Sequence, residues 1–184
     1  MQGGILIIDY GSQYTQLIAR RIREINVYCE IHPYNKVNNN LLKRLKPKGF
    51  VLSGGPNSVL DKRAPRFPKC IINMSEPILG ICYGLQLLSY NRGVKIKKSL
   101  NREYGYAKLK ILHSSRLLPK KWNNKSPNVW MSHGDSVSQV PKNFQIIAKS
   151  NNNTISIIES KKENFFGLQF HPEVQHTKYG QNLI

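Results

Sequence analysis

One stretch of seven residues constrains the fold more than any other: Gly-Ile-Cys-Tyr-Gly-Leu-Gln at positions 80–86. A short apolar run, residues 77–79, comes directly before it. A second apolar run, residues 85–88, overlaps its end. This pattern predicts a buried strand, then a tight turn with a glycine on each side of Cys82, then a helix that begins directly after the turn. A strand that feeds a helix in this way is typical of sheets that are covered by helices.

Cys82 is the strongest candidate for a nucleophile. The predicted turn parallels the nucleophile elbow of hydrolases, with cysteine in the place of serine. A free cysteine has a pKa of about 8.5, and a helix N-terminus or a neighbouring imidazolium lowers it. A lone cysteine is most often a small buried residue, but the flanking Gly80 and Gly84 and the helix that follows favour a nucleophile. Cys29 and Cys70 lack this setting, and we expect them to be packing residues.

A second motif, Phe-His-Pro-Glu, supplies a base and a carboxylate where the apolar run 165–170 ends. The proline forces an abrupt turn after His171, which lets Glu173 fold back and hold the imidazole. Together with Cys82 they provide a thiol, a base and an orienting group, which is the constellation of acyl transfer. Two other histidines are alternative bases: His133 and His176.

Short apolar runs alternate with helical patterns in the first half of the chain, whereas the second half has closely spaced strands. In the first half, strands are predicted at 5–8, 27–31, 50–52 and 78–81, and helices at 14–25, 38–45, 67–74 and 84–90. In the second half, strands are predicted at 104–112, 129–131, 144–148, 155–158 and 166–170. The expected fold class is α/β: a mixed, mainly parallel central sheet with helices on both faces and an antiparallel extension from the second half.

The candidate residues each follow a predicted strand, and sites in such folds lie at the carboxyl ends of the strands. Residues 9–11, the Ser-Gly-Gly-Pro turn at 53–56, Cys82 and His171 could therefore share one rim of the sheet. The glycines of the turn expose backbone N–H groups, which could stabilise an oxyanion together with the amide of Tyr83. Alone, the turn indicates no function, and the lack of a following Gly-Lys-Ser/Thr excludes a nucleotide P-loop.

Composition narrows the classes of function. The chain has 28 Lys and Arg against 10 Asp and Glu, a net charge of +18, which is a feature of many nucleic-acid-binding proteins. The basic residues are spread over every segment without interleaved aromatic platforms, so we interpret the charge as a compositional bias and disfavour nucleic-acid binding. No apolar run approaches the roughly 20 residues of a membrane span, no signal peptide is evident, and the three cysteines lack metal-binding spacing. We expect a cytoplasmic protein without membrane contact.

Taken together, the motifs are similar to those of the class I glutamine amidotransferases, whose fold is flavodoxin-like. The resemblance covers nearly the whole chain. The cysteine turn, the glycine turn and the Phe-His-Pro-Glu motif indicate the superfamily. Residues 9–24 (Asp-Tyr-Gly-Ser-Gln-Tyr-Thr-Gln-Leu-Ile-Ala-Arg-Arg-Ile-Arg-Glu) and 130–135 (Trp-Met-Ser-His-Gly-Asp) resemble, more specifically, the glutaminase domain or subunit of GMP synthases.

This resemblance implies hydrolysis of L-glutamine to glutamate and ammonia through a γ-glutamyl thioester on Cys82. His171, held by Glu173, would move the protons, and the amides of Gly55 and Tyr83 would form the oxyanion hole. Four residues would hold the amino-acid end of glutamine: Gln86, Ser132, Gly134 and Asp135. The ammonia would convert XMP to GMP on a synthetase domain or subunit. No cofactor or metal is implied in this chain, since ATP and magnesium are used by the synthetase partner.

Residues 1–184 are expected to form one glutamine amidotransferase type 1 domain, with the ATP pyrophosphatase domain of the synthetase absent. The chain would be a separate glutaminase subunit or a fragment of a longer protein. Two alternatives stay open. The first is the glutaminase component of another synthase, such as anthranilate synthase, which differs in the synthetase that activates it. The second is a decayed amidotransferase kept as a binding module, against which the intact Cys82, His171 and Glu173 argue.

Overall fold

The computed structural model describes residues 3–122 and 125–184. Within these ranges, nine strands form one sheet. The strands are β1 (Ile5–Asp9), β2 (Cys29–Pro33), β3 (Gly49–Leu52), β4 (Ile78–Ile81), β5 (Ile96–Ile111), β6 (Asn128–Val137), β7 (Gln145–Ser150), β8 (Ile155–Ser160) and β9 (Phe165–Leu168). The α-helices in these ranges are α1 (Thr15–Glu24), α2 (Asn39–Leu45) and α3 (Tyr83–Asn91).

The strand order in the sheet is β2-β1-β3-β4-β9-β8-β7-β5-β6. The first five strands in this order are parallel, and the remaining pairings are antiparallel. The predicted mixed sheet with an antiparallel extension is therefore confirmed. The last strand in sequence, β9, lies beside β4 with Ile81 paired to Leu168, so the residues that follow these two strands emerge together at one edge.

Helices cover both faces of the sheet because successive residues of each strand point in opposite directions. In β1, Leu6 and Ile8 belong to the core cluster that includes the leucines of α2 and α3. Ile7 belongs to the opposite cluster, together with Ile18 and Ile22 of α1. In the ranges that the structure describes, no helix is both long and apolar enough to cross a membrane.

The helix predicted at residues 67–74 is wrong. Only one short 3₁₀ turn, Lys69–Ile71, forms there. Pro68 lies before it with an extended backbone (φ −67°, ψ 117°). A proline disfavours helical backbone in the residue before it, and the few residues that remain are too short to sustain an α-helix without strong packing.

Two strands of the second half are longer than predicted. β5 begins at Ile96 instead of 104, and β6 continues to Val137 instead of ending at 131. The added pairs include Lys97 with Ser136, where polar residues interrupt the apolar pattern from which the strands were predicted. Periodicity detects the buried part of a strand, whereas backbone pairing continues past it.

Candidate active site

Cys82 lies in the turn between β4 and α3, in a backbone conformation that side chains rarely adopt (φ 50°, ψ −104°). Its backbone N–H donates to the carbonyl of Leu168 at 2.6 Å, which ties the turn to the end of β9. Such strain persists only where the surrounding structure holds it, and it is typical of functional turns. Cys82 is 5% exposed and lines two adjoining cavities.

The glycines on either side of Cys82 are required by close backbone contacts. A Cβ atom on Gly80 would lie 2.7 Å from the backbone nitrogen of Leu85, in the first turn of α3. A Cβ atom on Gly84 would collide with the backbone carbonyl oxygen of Leu52, at the end of β3. Neither obstacle is a flexible side chain, so the turn can approach the sheet this closely only without side chains.

We expect Gly84→Ala to destabilise the protein by about 2 kcal/mol or more. Alanine favours a helix over glycine by about 1 kcal/mol, but here the methyl group would displace the backbone of β3 or of α3. Ser89→Ala in the same helix is the matched control, because the buried Ser89 hydroxyl has no hydrogen-bond partner among the described residues. Urea unfolding measures both variants, and a Gly84→Ala protein as stable as the control would contradict the expected clash.

His171 and Glu173 lie together next to Cys82, after the end of β9. The Nδ1 atom of His171 is 2.7 Å from Oε1 of Glu173, and both side chains are almost fully buried. Burial is the largest single influence on the pKa of His171 and lowers it. Hydrogen bonds to Cys82 and to Glu173 outweigh burial and raise the pKa of His171 to about 10. The geometry therefore favours a charged imidazole against the sulfur.

The backbone around His171 is fixed by three contacts from separate parts of the chain. The N–H of His171 donates to the carbonyl of Trp130 in β6 at 3.0 Å. The hydroxyl of Thr177 donates to the carbonyl of His171 at 2.7 Å. Arg21 of α1 donates through Nε to the carbonyl of Glu173 at 3.2 Å. Because the main chain is held on both sides, the imidazole has little freedom to leave the sulfur.

The alternative histidines and cysteines lie elsewhere. His133 is buried with both ring nitrogens occupied by Glu103 and by a backbone carbonyl. His176 is exposed and packs against Trp130, with ring centroids 4.4 Å apart. Burial raises the pKa of Cys29 and of Cys70, which disfavours a reactive thiolate at either. The structure thus brings only one of the three cysteines beside a histidine in the ranges described.

The amides predicted to form an oxyanion hole, those of Gly55 and Tyr83, make no hydrogen bond to another described residue. Tyr83 begins α3, where the first N–H groups of a helix lack internal partners. Gly55 packs on Tyr10, and a Cβ atom there would lie 2.6 Å from the Tyr10 carbonyl oxygen. Both residues line a cavity that Cys82 also lines.

The four residues predicted to contact glutamine line one cavity of about 310 Å³ beside Cys82. They are Gln86, Ser132, Gly134 and Asp135. The carbonyl of Ser132 lies 3.6 Å from the sulfur of Cys82, which places this strand directly against the nucleophile. A second cavity, of about 220 Å³, lies on the His171 side of the sulfur and is bordered by residues 11–14. The sulfur therefore borders both cavities.

Gln86 supports the cavity wall in addition to lining the cavity. It is 3% exposed, and its Nε2 donates to the backbone carbonyl of Asp135 at 2.8 Å. The same nitrogen lies 3.4 Å from Oε1 of Gln169. Gln86 therefore links the start of α3 to the backbone of β6.

Sequence reasoning did not single out two polar residues beside the site. Gln169, fully buried at the end of β9, donates through Nε2 to the sulfur of Cys82 at 3.7 Å. Its position two residues before His171 could have indicated it. Glu103 contacts His133 from the neighbouring strand, and no local pattern marks it. In residues 3–122 and 125–184, no group of three or more His, Cys, Asp or Glu side chains is arranged to hold a metal ion.

The chain is similar to known proteins in family, in sequence and in structure. It matches the family model described as glutamine amidotransferase class-I over residues 6–184. It is 48% identical over 180 residues to the glutamine-hydrolyzing GMP synthase of Brachyspira hyodysenteriae and 44% identical over 186 residues to that of Pseudomonas putida. Each alignment covers 98% of this chain, but only 34% and 35% of those proteins. The chain thus spans about a third of the length of these relatives.

Two solved structures share the fold. A Thermoplasma acidophilum protein provisionally named as one of the subunits of GMP synthase matches with a TM-score of 0.83 and 30% identity, covering 100% of this chain and 90% of that one. A glutamine amidotransferase from Thermotoga maritima matches with a TM-score of 0.74 and 20% identity, covering 94% of this chain and 76% of that one. At the lower identity, the second likeness bears on the fold alone.

Proposed function

We propose that this chain, which belongs to the class-I glutamine amidotransferase family, hydrolyses the side-chain amide of L-glutamine with Cys82 as its nucleophile. The observation that carries this proposal is the buried contact series from Glu173 through His171 to Cys82, beside a cavity with two free backbone donors. A thiol, an oriented imidazole and an oxyanion site are the groups that acyl transfer through a thioester requires.

In the first half of the reaction, the sulfur of Cys82 adds to the amide carbon of the glutamine side chain. His171, whose charged form is stabilised by Glu173, already holds the proton of the Cys82 thiol. The former carbonyl oxygen becomes negative and accepts hydrogen bonds from the amides of Gly55 and Tyr83. The carbon–nitrogen bond then breaks as His171 returns a proton to the nitrogen, so that ammonia leaves and a γ-glutamyl thioester remains.

In the second half, a water molecule adds to the thioester carbon. His171 accepts a proton from this water and passes it to the sulfur as the carbon–sulfur bond breaks. Glutamate leaves, and the Cys82 thiol is restored. The cavity on the His171 side of the sulfur is the space in this site where water can reach the imidazole without crossing the glutamine subsite.

Asp135 would hold the ammonium group of glutamine. Its side chain is half-buried at the wall of the 310 Å³ cavity, at the far end of a motif that begins with Ser132 next to the sulfur. A carboxylate in this position pairs with the positive charge of an amino acid, and it does so equally before and during the reaction. Gln86, Ser132 and Gly134 would complete the subsite for the amino-acid end.

We expect Asp135→Ala to raise KM for glutamine about tenfold to a hundredfold while kcat changes much less, because the variant loses binding common to substrate and transition state. Asp135→Asn keeps the shape and removes the charge. It should therefore raise KM nearly as much as alanine does. Steady-state kinetics over a range of glutamine concentrations measures both variants, and an unchanged KM in either would contradict the proposed ammonium contact.

The ammonia would serve GMP synthesis. The aligned relatives are glutamine-hydrolyzing GMP synthases roughly three times as long as this chain. We propose that residues 1–184 form a glutaminase unit equivalent to that of these synthases and act in the cytoplasm. A synthetase domain or subunit that uses ATP and magnesium would accept the ammonia and convert XMP to GMP. The match with a protein provisionally named as one of the subunits of GMP synthase supports the two-subunit form of this proposal.

The test is glutamate release from glutamine by the purified chain, alone and with a GMP synthetase subunit, ATP and XMP. Glutamate release that appears or rises sharply with this partner is the expected result. If the synthase component of anthranilate synthase stimulated glutamate release instead, the chain would be assigned to anthranilate synthesis. No release in any condition from a folded sample, with Cys82 labelled no faster than Cys29 or Cys70 by a glutamine-like alkylating agent, would overturn the proposal.

A further inference from the structure

We propose that Glu103 and His133 are positioning residues of the glutamine subsite, which they serve by fixing the backbone of Asp135. This inference rests on the proposed glutaminase function and deepens it. Neither residue contacts the sulfur of Cys82 in the structure. Both act through β6, the strand that carries the motif Ser132-His133-Gly134-Asp135 along the cavity.

The strand pairing that should hold Asp135 is interrupted beside it. Lys98 of β5 pairs with Asp135, and the next regular pair joins Glu103 to His133. The register of the two strands shifts between these two pairs. A register shift disrupts the ladder locally, next to the backbone that the subsite has to hold in place. Side-chain contacts therefore have to hold the backbone of Asp135 in place.

The carboxylate of Glu103 is the anchor of these contacts. It is 5% exposed and has three hydrogen-bond partners. Ser150 and Asn152, at the turn between β7 and β8, donate to Oε1 at 2.8 and 2.9 Å, and His133 Nε2 lies 3.1 Å from Oε2. Burial is the largest influence on this carboxyl and raises its pKa, but the three hydrogen bonds outweigh it and lower the pKa of Glu103 to about 2. A buried charge satisfied in this way is rigid.

His133 connects that anchor to the subsite. Its Nδ1 lies 3.0 Å from the carbonyl oxygen of Asp135, and its Nε2 faces Glu103. Both partners can accept a hydrogen bond from a ring nitrogen. With its two nitrogens committed to protein atoms, His133 contributes to the cavity wall by holding Asp135 and not by binding substrate through its nitrogens.

The same carbonyl of Asp135 also accepts a hydrogen bond from Gln86, so it is fixed from two directions. Gln86 lies against Gln169, and Gln169 contacts the sulfur of Cys82. Buried polar contacts therefore run from Glu103 to the nucleophile without a break. This series sets the distance between the position of the substrate ammonium and the sulfur.

We expect Glu103→Ala and His133→Ala each to raise KM for glutamine by about tenfold or more, with a smaller change in kcat. The double variant should be scarcely worse than the more affected single variant, because both substitutions break one series of contacts. Glu103→Gln should restore most of the affinity. Its amide can donate to Nε2 of a neutral His133, whose Nδ1 still donates to Asp135, and its oxygen can accept from Ser150.

Two alkylating agents separate positioning from general damage. Inactivation by 6-diazo-5-oxo-L-norleucine, which carries the amino-acid end of glutamine, should slow by the same factor as kcat/KM. Alkylation of Cys82 by iodoacetamide, which lacks that end, should stay within about twofold of the unsubstituted chain. Asn151→Ala is the matched control from the same β7–β8 turn, since Asn151 bonds only to Lys108 and Asn152 among the described residues. It should leave all constants unchanged.

The outcomes are distinct. A chain that hydrolyses glutamine, with KM unchanged in both alanine variants, would overturn this inference and leave the proposed function standing. Equal slowing by the two alkylating agents would also overturn it, because the whole site would then be disturbed. If an alanine variant does not fold, Glu103→Gln still tests the inference. A KM for glutamine raised as much in Glu103→Gln as in Gln86→Ala, or as in His133→Ala where that variant folds, would contradict the series. A chain without any hydrolysis overturns the function itself.

Discussion

Cys82→Ala is expected to abolish glutamine hydrolysis, with kcat/KM reduced by about four orders of magnitude or more. The variant lacks the only sulfur that the described structure places against an imidazole and two free amides. No neighbouring side chain can replace it, because the other contacts of the sulfur are the carbonyl of Ser132 and the amide nitrogen of Gln169, neither of which is a nucleophile.

The fold should survive this substitution. The Cys82 side chain is small, its hydrogen bonds with Ser132 and Gln169 are long, at 3.6 and 3.7 Å, and alanine fits the same turn. Cys70→Ala is the matched control, since it removes another thiol that is remote from His171. Glutamate release and thermal unfolding are measured for both. Hydrolysis that persists in Cys82→Ala would refute the assignment, and loss of hydrolysis in Cys70→Ala would show that the assay reports stability.

Glu173→Gln is expected to lower kcat by about a hundredfold to ten-thousandfold while KM changes little. The neutral amide cannot stabilise a charged imidazole. Its NH₂ group can also turn toward Nδ1 of His171 and so favour the wrong tautomer of the ring. The backbone contacts of His171 to Trp130 and Thr177 do not involve the substituted side chain, so the ring should stay in place. Kinetics at saturating glutamine measure the loss, and an undiminished kcat would contradict the role of Glu173.

The same variant changes the dependence of stability on pH. The pKa of His171 is raised from its ordinary value of 6.5 to about 10. The stability that this group contributes is therefore fully present below about pH 6.5 and is lost as the pH rises toward 10. Removing the charge of Glu173 lowers the pKa of His171, so Glu173→Gln should show a smaller loss of stability across this interval. Urea unfolding at pH 6.5, 8 and 9.5 measures the difference, and parallel curves for the two proteins would contradict it.

The elements of the site that are local in sequence could be predicted from it. The Cys82 turn, Gly55 and the residues from His171 to Glu173 each stand out through neighbours in the chain, and the structure brings them together at one edge of the sheet. The position of β9 beside β4 could not be predicted in the same way, because the choice of a partner strand depends on packing across the whole sheet. That pairing is what joins the two motifs.

The residues that sequence reasoning missed act through distant partners. Glu103 gains its role from contacts with β6 and with the turn after β7, so no spacing within β5 marks it. Gln86 was predicted to contact substrate, and the structure adds its bond to the backbone of Asp135, which depends on how α3 packs against β6. The failed helix at 67–74 has a local cause, since Pro68 carried more weight than the apolar spacing.

The most direct test of the account is the mass of the protein after brief mixing with glutamine and quenching in acid. A γ-glutamyl thioester adds the mass of glutamine less that of ammonia, and digestion should locate this addition to the peptide that contains Cys82. The account predicts this species in the unsubstituted chain, a larger fraction of it in the presence of an activating synthetase with ATP and XMP, and none in Cys82→Ala. An adduct on another residue, or glutamate released without any adduct at Cys82 under conditions that trap thioesters, would contradict the account.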